Sequence, residues 1–263
     1  MHAVALALAL APVLFPRPVC AQGAPSAKEP TLEQRYHELA AKGDRAQLVE
    51  AWRADPGAVL PTIDADLEGS LALCEQARAA GKQPDAAAVA AMRARARFGA
   101  EAADEAFGTA LFTDYAVAFA SWNDAQAASF RAGQAAFGRA RAAAKAGDHA
   151  EALKAAAECE ELARPLGDWW GAAMGAGARG QALLKLGRND QAVAALSEAA
   201  LLNHDLRLLG TEYGAVRALA EALSAAKQPE RERRALERAC ALAEELGDQK
   251  GLAELRAKLA GAK

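Results

Sequence analysis

Aromatic residues are scarce, filling only 5% of the 263 positions. Runs that alternate β-branched and polar residues are missing, which removes half-buried strands as the building element. No two cysteines stand at Cys-x-x-Cys spacing, so a haem-attachment motif or a redox dithiol of that kind is excluded. No P-loop and no nucleophile elbow occurs. Besides His2 there are His37, His149 and His204, none of them three or four residues from another histidine or a cysteine. That leaves no helical metal-ligand pair, and neither a metal nor a cofactor is expected. The formal net charge of −3 lacks the basic excess of a nucleic-acid binder. The apolar run Ala3 to Leu14 is about a dozen residues, too short to cross a bilayer.

What is abundant is small and apolar. Hydrophobic residues make up 52% of the chain, and alanine supplies much of that. Alanine is the best helix former because it loses almost no side-chain entropy. Long helices in close contact through small side chains are expected. The segment from Met1 to Ala21 is a distinct unit. After the apolar run, Val19-Cys20-Ala21 puts small residues where a signal peptidase reads, so a secretory signal cleaved after Ala21 is predicted. Its removal takes away Arg17 and leaves 30 basic against 34 acidic side chains, a net charge of −4. The mature chain would then be exported, periplasmic or secreted, with no membrane span. It would keep Cys74, Cys159 and Cys240, an odd number that leaves at least one thiol unpaired within a monomer. Each is read as a small core residue.

Residues 22–30 form a polar linker. Residues 31–121 read as an irregular helical region of eroded pairs. A helix from Thr31 to Lys42 stops at Gly43-Asp44. A second reaches about Ala54 and stops at Asp55-Pro56-Gly57. A third covers Ile63 to Ala80, a fourth Asp85 to about Phe98 and a fifth Ala102 to Ser121. Phe112, Tyr115, Phe119 and Trp122 share one face of the fifth, and are expected to form the core of an otherwise alanine-rich chain.

Residues 122–263 repeat. KAGDHAEALKAAAEC ends at Cys159, KLGRNDQAVAALSEA at Ala199 and AAKQPERERRALERA at Ala239, three evenly spaced registers without a gap. Ala140, Gly180 and Ala220 coincide, as do Gly147, Gly187 and Lys227. Ala152 and Ala192 match Glu232, and Cys159, Ala199 and Ala239 coincide. In the middle copy the small residues are Gly180, Gly187, Ala192 and Ala199. That spacing resembles the tetratricopeptide repeat, a helix–turn–helix unit. The resemblance implies an all-α fold, a right-handed α-solenoid of antiparallel helix pairs. Gly180 and Ala192 would be the close-approach points of a pair. Gly187 would end the first helix in a left-handed conformation. Asn189 or Asp190 would cap the second, and Ala199 would pack on the next unit. The period, from Gly180 to Ala220, is longer than the family's usual repeat of about 34 residues, which marks a long-period variant. The surplus is expected between one unit's second helix and the next unit's first. The third copy is degenerate at Lys227 and Glu232, and His204 stands where the family carries a proline. Gly251 to Ala260 would be a cap helix.

One stretch imitates a chemical motif. GAGARG at 175–180 has the glycine spacing of a dinucleotide turn, but no strand precedes it, and Asp168 looks like the cap of a helix that already contains Gly175. Nucleotide binding is not expected. Glu158, Glu160 and Glu161 around Cys159 read as a solvated helix face. No catalytic residue is predicted. By the resemblance, the first helices line a concave groove, with Phe137, Arg141, Lys145, Gln181, Lys185, Arg217 and Glu221 facing it. Its cations suit an acidic or carboxylate-ended segment of a protein or peptide partner. The expected role is a non-catalytic exported scaffold or adaptor. The alternatives are a helical envelope enzyme or its accessory domain, and a purely structural oligomerisation module.

Overall fold

The computed structural model describes residues 30–261. The expected signal segment and all but the last residue of the linker lie outside the described residues. Within them every regular element is a helix, so the fold is all-α.

The N-terminal helices are α1 (Leu32–Lys42), α2 (Arg45–Ala54), α3 (Val59–Ala79), α4 (Ala86–Phe107) and α5 (Leu111–Ser121). Their ends follow local chemistry. Thr31 and Gln34 form a reciprocal capping box on α1. Gly43 closes α1 with φ of 68°, and Asp44 caps α2 through the Gln47 N–H at 3.1 Å. Two boundaries differ from the sequence expectation. α3 begins at Val59 rather than Ile63, because Pro61 sits in the first turn, where a missing N–H costs nothing. The fourth helix runs straight through Gly99. A Cβ at Gly99 would lie 2.8 Å from the Tyr36 ring, and the Trp52 indole donates to its carbonyl at 3.0 Å. That glycine therefore serves close packing, and the break falls at Gly108, with φ of 68°.

Phe112, Tyr115 and Phe119 are all buried, with Trp122 stacked 4.2 Å from Phe119 and Phe130 edge-on at 5.2 Å. Each such ring is worth roughly 1.5–3 kcal/mol of burial. The aromatic stripe is thus core, as its spacing predicts. Asp66, inside this core, accepts from the Tyr36 hydroxyl and the Arg95 guanidinium, each at 2.8 Å. Its buried charge is paired.

The remaining helices are α6 (Asp124–Ala146), α7 (His149–Ala163), α8 (Trp169–Lys185), α9 (Asn189–Asp205), α10 (Leu209–Ala225), α11 (Pro229–Glu245) and α12 (Gln249–Gly261). Each packs on the next, and α8 also touches α6 and α10. Their joints recur at an even interval. Gly147, Gly167, Gly187, Arg207, Lys227 and Gly247 all have positive φ. After each, the next N–H bonds back five residues, from Asp148 to Ala143 and so on to Asp248 and Ala243. The sequence register that carries Gly147 onto Gly187 and Lys227 is therefore two equal backbone steps. The residues beyond a period of about 34 lie in the helices, 17 residues long in α8 through α11, and not in an inter-unit loop. Arg207 and Lys227 hold the left-handed joint without glycine. Arg207 lies 5.0 Å over the Phe107 ring, and its neighbours Leu206 and Leu208 join the N-terminal core. Leu183 to Leu255 build a second core.

Asp148, Asp168 and Asp248 accept the N–H three residues on and so cap α7, α8 and α12. Arg188 holds the corresponding place before α9 and makes no cap bond. Asn189 is already the first helical residue, and its amide donates instead to the Ala225 carbonyl at 3.3 Å. Neither Asn189 nor Asp190 caps α9. Arg188→Asp is expected to raise stability by about 1 kcal/mol, read as a higher thermal midpoint.

Glu160 also departs from expectation. It is only 8% exposed, because Arg164, just past the end of α7, and Arg179 of α8 reach it and both also pair with Glu198 on α9. That closed ring of charges ties three helices together. Glu158 pairs with Arg139 nearer the surface.

Candidate binding site

Small side chains let α6, α8 and α10 stand close and leave a trough along them. Its volume is about 550 Å³. Ala140, Ala173, Gly177 and Ala215 contribute to its lining, so backbone lies near its surface. Phe137, Arg141, Gln181 and Lys185, four of the positions expected to face a groove, line it together. The Arg141 guanidinium lies 5.9 Å over the Phe137 ring. Lys145 is exposed one turn beyond Arg141 and does not line the trough. Arg217 and Glu221 line a different cavity, of about 650 Å³, between α10, α11 and α12. There Arg217 lies 3.9 Å from Glu254 and Glu221 lies 4.0 Å from Lys258. The seven predicted positions thus divide into four in the trough, two beyond it and one on the open surface.

A third cavity opens at the head of the trough and shares Phe137, Arg141 and Met174 with it. Its volume is about 340 Å³. Helices from both halves of the chain build it. α3 brings Asp64 and Glu68, α5 brings Tyr115, α6 brings Phe130, and the start of α8 brings Asp168 and Trp170. Glu68 is neutralised, at 2.6 Å from Arg131 and within a 2.6 Å hydrogen bond of the Gln134 amide. Asp64 accepts from the Tyr115 hydroxyl. Asp168 is 6% exposed, and one of its oxygens accepts the Gly171 N–H at 2.8 Å as the α8 cap. Among the described residues no cation stands within ion-pair distance of Asp64 or Asp168, since the acids of this region that pair are Glu68, Glu75 and Glu160.

Burial sets the protonation here. Loss of water pushes the Asp64 carboxyl up to about 7, with Glu68 and Asp168 adding to the rise and the Tyr115 hydrogen bond and the more distant Arg131 charge opposing it. Loss of water likewise lifts Asp168 to about 6, against the Gly171 N–H that favours its charge. Tyr115 is held well above its ordinary value by burial and by Asp64 and Asp168. Burial pushes the Cys159 thiol up to about 11, which makes it a poor nucleophile.

Sequence reasoning missed this cavity. One local sign was present: Asp64 stands between Ile63 and Leu67, on the margin of the apolar stripe of α3. Its partner across the cavity, Asp168, is far along the chain, and only the packing of α8 on the N-terminal core brings the two together. Among the described residues no group of His, Cys, Asp or Glu is arranged to hold a metal ion, and no helix is long and apolar enough to cross a membrane. No protein-family model matches the chain, and no curated protein is significantly similar to it.

Proposed function

We propose that the protein is an exported, non-catalytic adaptor that holds an extended segment of a partner protein or peptide in the trough of a tetratricopeptide-like array. In this reading residues 122–261 are a right-handed solenoid whose first helices are α6, α8 and α10. Residues 31–121 are the irregular region that caps its N-terminal end, and α12 caps the other. The observation that carries the reading is the contact of α8 with both α6 and α10 along a trough floored by small residues. Backbone close to the surface suits a strand-like ligand better than a bulky one. The chemistry of the ligand follows from charge. The cations of α6 and α8 that make ion pairs are Arg131, Arg139 and Arg179. Arg141, Lys145 and Lys185 are left without a carboxylate among the described residues. Arg141 and Lys185 flank the trough, so an acidic or carboxylate-ended segment is the fitting partner.

Charge reversal tests this. Arg141→Glu with Lys185→Glu is expected to cut capture of partners from an envelope extract at least tenfold. Arg217→Glu, outside the trough, is expected to leave capture unchanged. Equal capture by the wild-type and doubly reversed chains would remove the trough from the account.

A further inference from the structure

We propose that the cavity at the head of the trough binds an alkylammonium group, of the kind a lysine side chain or a free aliphatic amine carries. The inference stands apart from the adaptor reading, since it needs no peptide in the trough.

Three independent features converge. First, the volume of about 340 Å³ is at the small end of ligand pockets, right for a short chain and not for a cofactor. Second, the walls are aromatic in a chain that has few aromatics. Tyr115, Phe130, Phe137 and Trp170 all line it, with Met174 beside them. Ring faces attract cations, and more strongly where water is excluded. Third, two of the carboxyls there, Asp64 and Asp168, have no cation within ion-pair distance among the described residues, and Arg131, which lowers the charge cost of Asp64 from farther off, is itself held by Glu68 and Glu75. Asp168 is 6% exposed, and its second oxygen accepts no hydrogen bond from them. Asp64 has only the Tyr115 hydroxyl. A buried carboxylate with no cation is costly, and an entering ammonium ion removes that cost.

The surrounding charges favour a compact cation. From α3 come Asp64 and Glu68, from α5 Tyr115, from α6 Arg131 and Arg141, from α7 Cys159 and from α8 Asp168. Arg131 is engaged by Glu68 and Glu75, and Arg141 is drawn over Phe137 at the mouth. The interior is therefore left negative. An ammonium head has three donors on a point charge, enough for Asp64 and Asp168 together, and its methylene stem can lie along the rings.

Calorimetric titration of the purified protein tests the inference. The probes are pentylamine, a capped tripeptide Gly-Lys-Gly, and pentan-1-ol as the uncharged counterpart. At pH 8 at least one ammonium probe is expected to bind at one site, at least tenfold more tightly than pentan-1-ol. Tighter pentylamine would identify a free amine as the natural ligand type, and tighter tripeptide a lysine of another chain. Asp168→Asn keeps the α8 cap, since asparagine caps as well as aspartate. It and Asp64→Asn are each expected to weaken binding at least tenfold. Trp170→Leu leaves both carboxyls in place and is expected to weaken it at least threefold, which covers the case in which an asparagine variant does not fold. At pH 5 the affinity is expected to fall as the two carboxyls take up protons. The inference is overturned if neither ammonium probe binds, if pentan-1-ol binds as tightly, or if the folded variants bind as the wild type does. None of these outcomes bears on capture through Arg141 and Lys185 in the trough.

Discussion

Gly180→Leu is expected to lower stability by roughly 3 kcal/mol or more, at the upper end of what overpacking costs. For a chain of this size that is a fall of about 6–12 °C in the thermal midpoint. The reason is geometric. A Cβ at position 180 would sit 2.5 Å from Leu196 Cγ and 3.1 Å from the Leu196 backbone nitrogen. Leu196 is fully buried, so it has nowhere to retreat, and α8 and α9 must part. Gly175 faces the other neighbour: its Cβ would be 3.0 Å from the Glu160 nitrogen and 3.2 Å from the Ala156 carbonyl of α7. Gly177 is the control. Its nearest neighbour would be Ala199 Cβ at 3.8 Å, an ordinary contact. Gly177→Ala is expected to raise the midpoint slightly, because alanine favours the helix by up to about 1 kcal/mol. The apparent dinucleotide motif thus resolves into two contact points on opposite sides of one helix and a spare. A Gly180→Leu protein that melted with the wild type would contradict the pairing of α8 with α9.

Acidification from pH 8 towards pH 5 is expected to stabilise the fold through Asp64 and Asp168. An unfolded aspartate titrates near 3.9, whereas these two are raised to about 7 and about 6. Between those limits the native state binds more protons than the unfolded one, so stability must fall as pH rises through that window. The cost is fully present above about pH 7, and it is relieved as the pH drops through 7 and then 6. Each pH unit of displacement is worth about 1.4 kcal/mol. After a discount for the cavity's contact with solvent, the pair supplies roughly 3 kcal/mol. Chemical denaturation at several pH values reads it directly. The double variant Asp64→Asn, Asp168→Asn should be more stable at pH 8 and lose this part of the slope. If the wild type and the double variant share one pH profile, the two carboxyls are not desolvated.

The parts of the fold that were legible are those fixed by local backbone chemistry. Gly43-Asp44 stops one helix and caps the next because glycine accepts positive φ and aspartate accepts the exposed N–H, both within a few residues. Gly147 and Gly187 were readable for the same reason. Gly99 and Gly108 were not separable, because a glycine that ends a helix and a glycine that admits a neighbouring ring look alike in sequence. Here Tyr36, two helices and a long stretch of chain away, decides which is which. The single-helix step, half of the sequence repeat, was hidden because its intermediate joints do not share one residue type: Arg207 adopts the same turn as Gly167 and Gly247. Of the candidate site, Phe137, Arg141, Gln181 and Lys185 could be grouped in advance because they lie at matching places in contiguous helices. The cavity beside it needed α3, α5 and α8 to meet, and nothing in a local window encodes that meeting. Glu160 is the same lesson in charge: its neighbours in sequence suggested water, and its neighbours in space are arginines.

The regular joints also determine which chain lengths this fold can accept. At each joint from Gly147 to Gly247 the backbone reverses direction, so helices alternate in parity. Gaining or losing two joint intervals inserts or removes an antiparallel pair and leaves every later helix on its own side. Gaining or losing a single interval would turn every later helix over and carry trough-facing residues such as those of α10 to the outer side. Intermediate lengths would change the span between two left-handed joints and turn the residues of that helix off the faces they now pack. Growth by whole pairs is therefore the path that preserves a binding face. The chain ends its described course on α12, a helix of the same parity as α6, α8 and α10.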